Sequence, residues 1–154
     1  DLHPRVRRQR QMCIRDRQFR RYYDQAAKKE GKTGTVLLTT IERRLDNVVF
    51  RLGLASSRRE ARQLVNHAHF TVNGQKVNIP SYMTKPGDVI KVKDSSRSKA
   101  RFKEIAEGET KSMVSPKWLE KDADLLGGKV IAMPERDDID YQVEEHLIVE
   151  LYSK

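Results

Sequence analysis

The chain has 154 residues, 37% hydrophobic and 34% charged, with a formal net charge of +9 and an isoelectric point near 9.8. That allows one ordinary domain or two small ones around a thin core, and the basic balance points to a polyanionic partner. A single cysteine, Cys13, excludes an intramolecular disulfide and a four-cysteine zinc site; without an apolar run of membrane-spanning length or a signal-peptide pattern, a cytosolic protein is the expectation.

The charge is segregated. Residues 1–104 carry 25 Lys and Arg against 10 Asp and Glu, whereas residues 105–154 carry 6 against 12. One part should therefore face the polyanion while the acidic tail faces something else.

Residues 1–17 hold six arginines and little periodic apolar character, which favours a disordered basic arm over a helix. From Gln18 the pattern sharpens: Phe19, Tyr22, Tyr23 and Ala26 form a helical apolar stripe, with Gly31 as a stop. The spacing favours these aromatics as core over base stacking, and leaves Arg20 and Arg21, off the stripe, as candidates for phosphate contact. Thr35 onward begins another helix through Leu38, Ile41 and Leu45, with Thr39 and Glu42 spaced as a capping box.

The strongest signals lie between Glu42 and Asp94. Leu45, Val48, Val49 and Leu52 fall at i, i+3, i+4 and i+7 of one helix, ended by Gly53. Ser57 is a good N-cap for a second, with Glu60 three residues on, and Ala61, Leu64, Val65 and Ala68 repeat the apolar spacing. Arg58, Arg59, Arg62 and Gln63 are thereby left on faces turned away from the first helix. Phe70–Val72 alternates as a strand, Asn73-Gly74 is the preferred two-residue hairpin turn, and Gln75–Val77 returns. A further strand, Val89–Val92, follows the turn at Lys85-Pro86-Gly87-Asp88. Beyond it, DSSRSKARFKEI reads as a basic linker, and Pro116 opens a helix that stops at Gly127-Gly128. Strands at Lys129–Met133 and Leu147–Tyr152 close the chain around the acidic loop Glu135–Asp140.

Guanidinium groups pair their donors with phosphate oxygens and release condensed counterions on binding, so Arg43, Arg44, Arg51, Arg58, Arg59 and Arg62 together could supply strong, salt-dependent affinity. A solvated basic face is the plainer alternative. Charges set opposite two apolar stripes, in a strongly positive two-thirds of the chain, favour binding. Ser57, Gln63, His67, Asn73 and Lys76, with Gly74 at the hairpin tip, suit backbone and 2′-hydroxyl contact, although charge alone does not separate RNA from DNA. His67 and His69 lack the further ligands of a metal site, and Asp137, Asp138 and Asp140 lack the glycine and distal glutamate of a calcium loop. No cofactor, metal or small-molecule substrate is expected.

The stretch ERRLDNVVFRLGLASSRREARQLVNHAHFTVNGQKVNIPSY, with KPGDVI after it, closely resembles the RNA-binding domain of the bacterial ribosomal protein S-four family. The likeness extends from QFRRYY at Gln18 through SPKWLEKD to HLIVELYSK at the C-terminus. Family members normally begin with a longer helical region, often bearing zinc-binding cysteines. Residues 1–17 do not align with it, and Cys13 alone cannot supply such a site.

The resemblance implies an α+β protein: a helical domain plus a small αL-motif RNA-binding domain, two helices packed on a short antiparallel β-sheet. The boundaries expected are a basic arm at 1–17, the helical part at 18–41, the RNA-binding domain at 42–104, and a C-terminal segment at 105–154 packing back on the helical part. The function implied is that of a structural constituent of the small ribosomal subunit, binding small-subunit ribosomal RNA at the junction of its 5′ domain, nucleating assembly and contributing to translational accuracy. Neighbouring small-subunit ribosomal proteins are the other partners implied, with the acidic tail as the contact, since its charge would be repelled by bare RNA. An RNA-modifying enzyme is the alternative, because Arg44-Leu45-Asp46 is similar to the tripeptide carrying the catalytic aspartate of pseudouridine synthases; with no catalytic domain following, a helix residue paired to an arginine is the better reading. A free-standing RNA-binding module is the third, against which the flanking resemblance counts.

Overall fold

The computed structural model describes residues 4–108, 113–140 and 142–154, with side chains from Asp16 onward. In chain order the helices are α1 (Pro4–Ala27), α2 (Thr33–Glu42), α3 (Leu45–Arg51), α4 (Arg58–Asn66), α5 (Asp94–Arg97), α6 (Ala100–Ala106) and α7 (Glu145–Tyr152). The strands are β1 (Phe70–Val72), β2 (Gln75–Lys76), β3 (Val89–Val92), β4 (Leu119–Lys121) and β5 (Gly127–Val130). Two compact units result, one built of residues up to Ile41 and the C-terminal residues from 142, the other of Glu42–Asp140. The architecture is α+β.

In the first unit α1 starts at Pro4, so the stretch read as a basic arm is helical from there on. Proline is tolerated in the first turn, and no breaker follows before Ala27. Tyr22, Tyr23 and Ala26 are buried. The Tyr152 ring of α7 stacks on Tyr23 with centroids 5.3 Å apart and lies 5.8 Å from Phe19. Leu147–Tyr152, read from its β-branched residues as a strand, is therefore a helix whose last turn packs on α1. Local propensity yields to that packing. Thr39 is no cap: its hydroxyl and that of Thr40 both donate back to the Val36 carbonyl within α2, at 3.1 and 2.7 Å.

In the second unit the strands pair antiparallel in the order β2-β1-β3-β5-β4. Phe70, Val72, Ile90, Val92, Leu119 and Val130 alternate onto one face, against Leu45, Val48 and Val49 of α3 and Ala61 and Val65 of α4. The presumed linker is α5 and α6, whose Phe102 and Ile105 enter this core. Residues 105–140 likewise belong here; only the residues from 142 onward join the helical unit. The helix expected from Pro116 is instead β4 and the turn into β5, with Trp118 buried. Gly127 and Gly128 are not a stop but the first two residues of β5, where nothing larger fits. A Cβ on Gly128 would lie 2.5 Å from Leu52 Cδ2 and 2.6 Å from the Glu120 carbonyl.

Candidate nucleic-acid interface

Helix α4 is positioned by its cap. The Ser57 hydroxyl accepts from the Glu60 amide at 3.1 Å, while the Glu60 carboxylate accepts from the Ser56 amide at 2.6 Å, one residue earlier than a standard capping box. The other oxygen of Glu60 accepts from Arg101 Nε at 2.7 Å, tying α4 to α6.

The arginines divide sharply. Arg51 is turned inward, donating Nε to the buried Glu42 at 2.8 Å and Nη1 and Nη2 to Asp140 at 2.8 and 2.9 Å. Those hydrogen bonds hold the Asp140 carboxyl below the usual carboxylate range. Arg43 donates Nε to the Thr84 carbonyl at 2.9 Å. Arg44 grips Asp46 with two bonds, at 3.1 and 3.0 Å, and Asp46 also accepts from the Asn47 amide. An aspartate so engaged is a helix-start residue, not a free base. Arg58 folds back onto α3, contrary to the expectation that it faces away: its guanidinium lies 4.5 Å from the Phe50 ring centroid, and Nε donates to Asn47 Oδ1 at 2.9 Å.

Arg59, Arg62 and Gln63 are exposed on α4, and among the described residues neither arginine has an ion-pair partner. His67 is exposed at the C-cap of that helix. Asn73 and Gly74, at φ of 52° and 81°, form the hairpin turn expected of them. The Asn73 side chain is occupied within the fold, donating to Asp88 Oδ1 and accepting from the Val89 amide, both at 3.0 Å. Lys76 is exposed on β2. In the first unit Arg20 and Arg21 are exposed on α1, Arg20 over the Tyr152 ring at 5.6 Å.

The outer face of the sheet carries further cations that reasoning from helix faces missed. Thr71 is paired with Lys76 on one side and Lys91 on the other, and Lys129 stands opposite Val89. The alternation Val-Ile-Lys-Val in β3 was the readable signal for Lys91. Among the described residues no cluster of metal-ligating side chains occurs, and no helix is long and apolar enough to cross a membrane.

Residues 43–90 match the family model of the S4 domain, and residues 1–42 that of the ribosomal protein S4/S9 N-terminal domain. The second match includes residues 1–17, contrary to the expectation that this stretch does not align with the family. The chain is 63% identical over 141 residues to the small ribosomal subunit protein uS4 of Caldicellulosiruptor bescii, covering 92% of this chain and 67% of that relative. Over 141 residues it is 60% identical to the protein of the same name from Halothermothrix orenii and 55% to that from Clostridioides difficile, with the same coverage. The chain thus spans about two thirds of the length of these relatives.

Proposed function

The chain belongs to the family of the small ribosomal subunit protein uS4, and on that premise we propose that it is a structural, non-enzymatic constituent of the small ribosomal subunit in the cytoplasm. In this reading it binds small-subunit ribosomal RNA directly, at the junction of the 5′ domain, nucleates assembly and contributes to translational accuracy. The observation that carries it is α4, a helix whose apolar stripe is buried while Arg59 and Arg62 stand exposed on the other side, without an ion-pair partner among the described residues. Such groups are available to phosphate without first giving up a protein partner, and their counterion release favours association.

We assign RNA contact to Arg20 and Arg21 of the helical unit, and to Arg59, Arg62, Gln63, His67, Gly74 and Lys76 of the sheet-bearing unit Glu42–Asp140, the RNA-binding domain in this reading. Arg43, Arg44 and Arg51, and with them Ser57 and Asn73, serve to hold the contact surface in shape. Arg58 does both, presenting an exposed edge while stacked on Phe50. Neighbouring small-subunit ribosomal proteins are the second class of partner, met by the acidic C-terminal part. Assembly tests the reading: chain added to small-subunit ribosomal RNA with the remaining small-subunit proteins should sediment with the particle, and its recovery as free protein would overturn the proposal.

A further inference from the structure

We infer that the outer face of the sheet in the second unit is a second RNA-contact surface, which takes the phosphate backbone of a strand segment different from the one on α4. The inference rests on the reading above and gives the sheet-bearing unit a second contact surface beside that on α4. A groove of about 600 Å³ runs over this face, lined chiefly by Thr71, Lys76, Lys91, Lys93 and Arg97. The register sets Lys76 and Lys91 on either side of Thr71, their backbones about 10 Å apart, two strand spacings. Because Phe70, Val72, Ile90 and Val92 occupy the other face beneath α3 and α4, this groove and the α4 arginines look away from one another.

The charge of the groove is not consumed by the fold. Its one acid, Asp94, lies 3.5 Å from Arg97, which also pairs with Asp124 at 3.1 Å. Lys76, Lys91 and Lys93 form no ion pair among the described residues. Like charges gathered on neighbouring strands cost stability, so a cluster of three is accounted for by a ligand and not by the sheet. The lining favours RNA over an acidic protein. Lysine is depleted at protein–protein interfaces, whose energy comes from buried aromatic and apolar anchors, and the only apolar side chain here, Val92, is already buried in the core. Lysine ammonium groups beside Thr71 and the open backbone of Gly74 match a phosphate–ribose chain read by position and not by sequence.

Directed hydroxyl-radical probing tests this. In the Cys13→Ser chain, an iron chelate is tethered at Ser95→Cys in the groove or at Gln63→Cys on α4, and each protein is bound to the 5′ domain of small-subunit ribosomal RNA. The two positions are expected to cut different RNA segments. Adding Lys76→Gln, Lys91→Gln and Lys93→Gln should abolish the cuts from Ser95→Cys, leave those from Gln63→Cys, and lower the magnitude of the salt slope by about 2 to 3, since each lost phosphate contact removes about 0.7 to 0.9. An unchanged far-ultraviolet circular dichroism spectrum and melting transition establish that the lysine variant is folded; Lys91→Gln with Lys93→Gln alone, expected to weaken the same cuts, replaces it if it is not. Cuts from Ser95→Cys confined to the α4 segment, or surviving the lysine changes, overturn the inference and leave the groove to an acidic protein. No cleavage from either position overturns the RNA reading itself, and this inference with it.

Discussion

Arg51 and Asp140, 89 residues apart, are joined by two parallel hydrogen bonds of 2.8 and 2.9 Å, and the third donor of the same guanidinium holds Glu42 at 2.8 Å. Glu42 and Asp140 are the first and last residues of the larger unit. One arginine on α3 therefore clamps both ends of the sheet-bearing unit, and a cation that charge counting assigns to RNA serves the fold.

The two halves of that clamp differ in depth. The Glu42 side chain is 1% exposed and that of Asp140 69%. Arg51→Ala should cost about 3 to 5 kcal/mol by stranding a buried carboxylate, and Asp140→Ala no more than about 1 kcal/mol, as an exposed pair. Denaturant unfolding of the two variants measures the difference, and equal losses would contradict the asymmetry.

The arginines of α4 should show the opposite signature. Arg59→Gln with Arg62→Gln is expected to leave the melting temperature within a degree or two of the parent, since exposed substitutions change stability by about 0.5 kcal/mol or less. The logarithmic salt slope of RNA binding should lose about 1.4 to 1.8 in magnitude. Arg44→Gln should move the melt instead, because it leaves Asp46 without its two-bond partner.

What the sequence reveals follows the range of the forces involved. Helices α3 and α4 and the Asn73-Gly74 hairpin are legible because capping, 3.6-residue spacing and turn chemistry act over a few residues. The region after residue 94 is not. Phe102 and Ile105 look like incidental apolar residues in a basic linker until Glu60, 41 residues away, is seen to hold Arg101. Gly127-Gly128 resembles a helix stop because composition says nothing of the Leu52 side chain pressed against β5. The same limit applies at the interface: sequence counts Arg43, Arg44, Arg51 and Arg58 as cations, and only tertiary structure shows each already engaged.

Acid sensitivity should centre on His69. Burial, followed by the positive charges of Lys99, His67 and Lys93, holds its imidazole below the ordinary histidine value, with Nδ1 2.9 Å from the Ser96 hydroxyl. A base with a depressed folded pKa binds more protons unfolded than folded. Its contribution is thus complete above the unfolded pKa, about 6.5, and is lost as pH falls below that value. Glu60 and Asp140, whose carboxyls are also held low, act only in more acidic solution. The melting temperature should fall between about pH 7 and pH 5, and His69→Gln should flatten that dependence; a profile unchanged by the substitution would contradict the assignment.

Gly128→Ala should destabilise the sheet by about 1 to 3 kcal/mol through overpacking, because the added methyl meets both Leu52 and the fixed Glu120 carbonyl. Gly74→Ala meets no atom within 4 Å, so its cost is confined to the left-handed backbone at φ 81°. Thermal melts of the pair separate steric from conformational cost.

The most direct measurement is a binding titration of the full chain against the junction-containing 5′ domain of small-subunit ribosomal RNA and against an unrelated duplex of equal length, at two salt concentrations. The account predicts that the junction RNA is preferred and that its margin survives the higher salt, because exposed groups held in fixed positions by Ser57, Arg51 and the hairpin match the spacing of phosphates in a folded target. Equal binding of both RNAs, fading alike as salt rises, would contradict it and reduce the surface to unspecific charge.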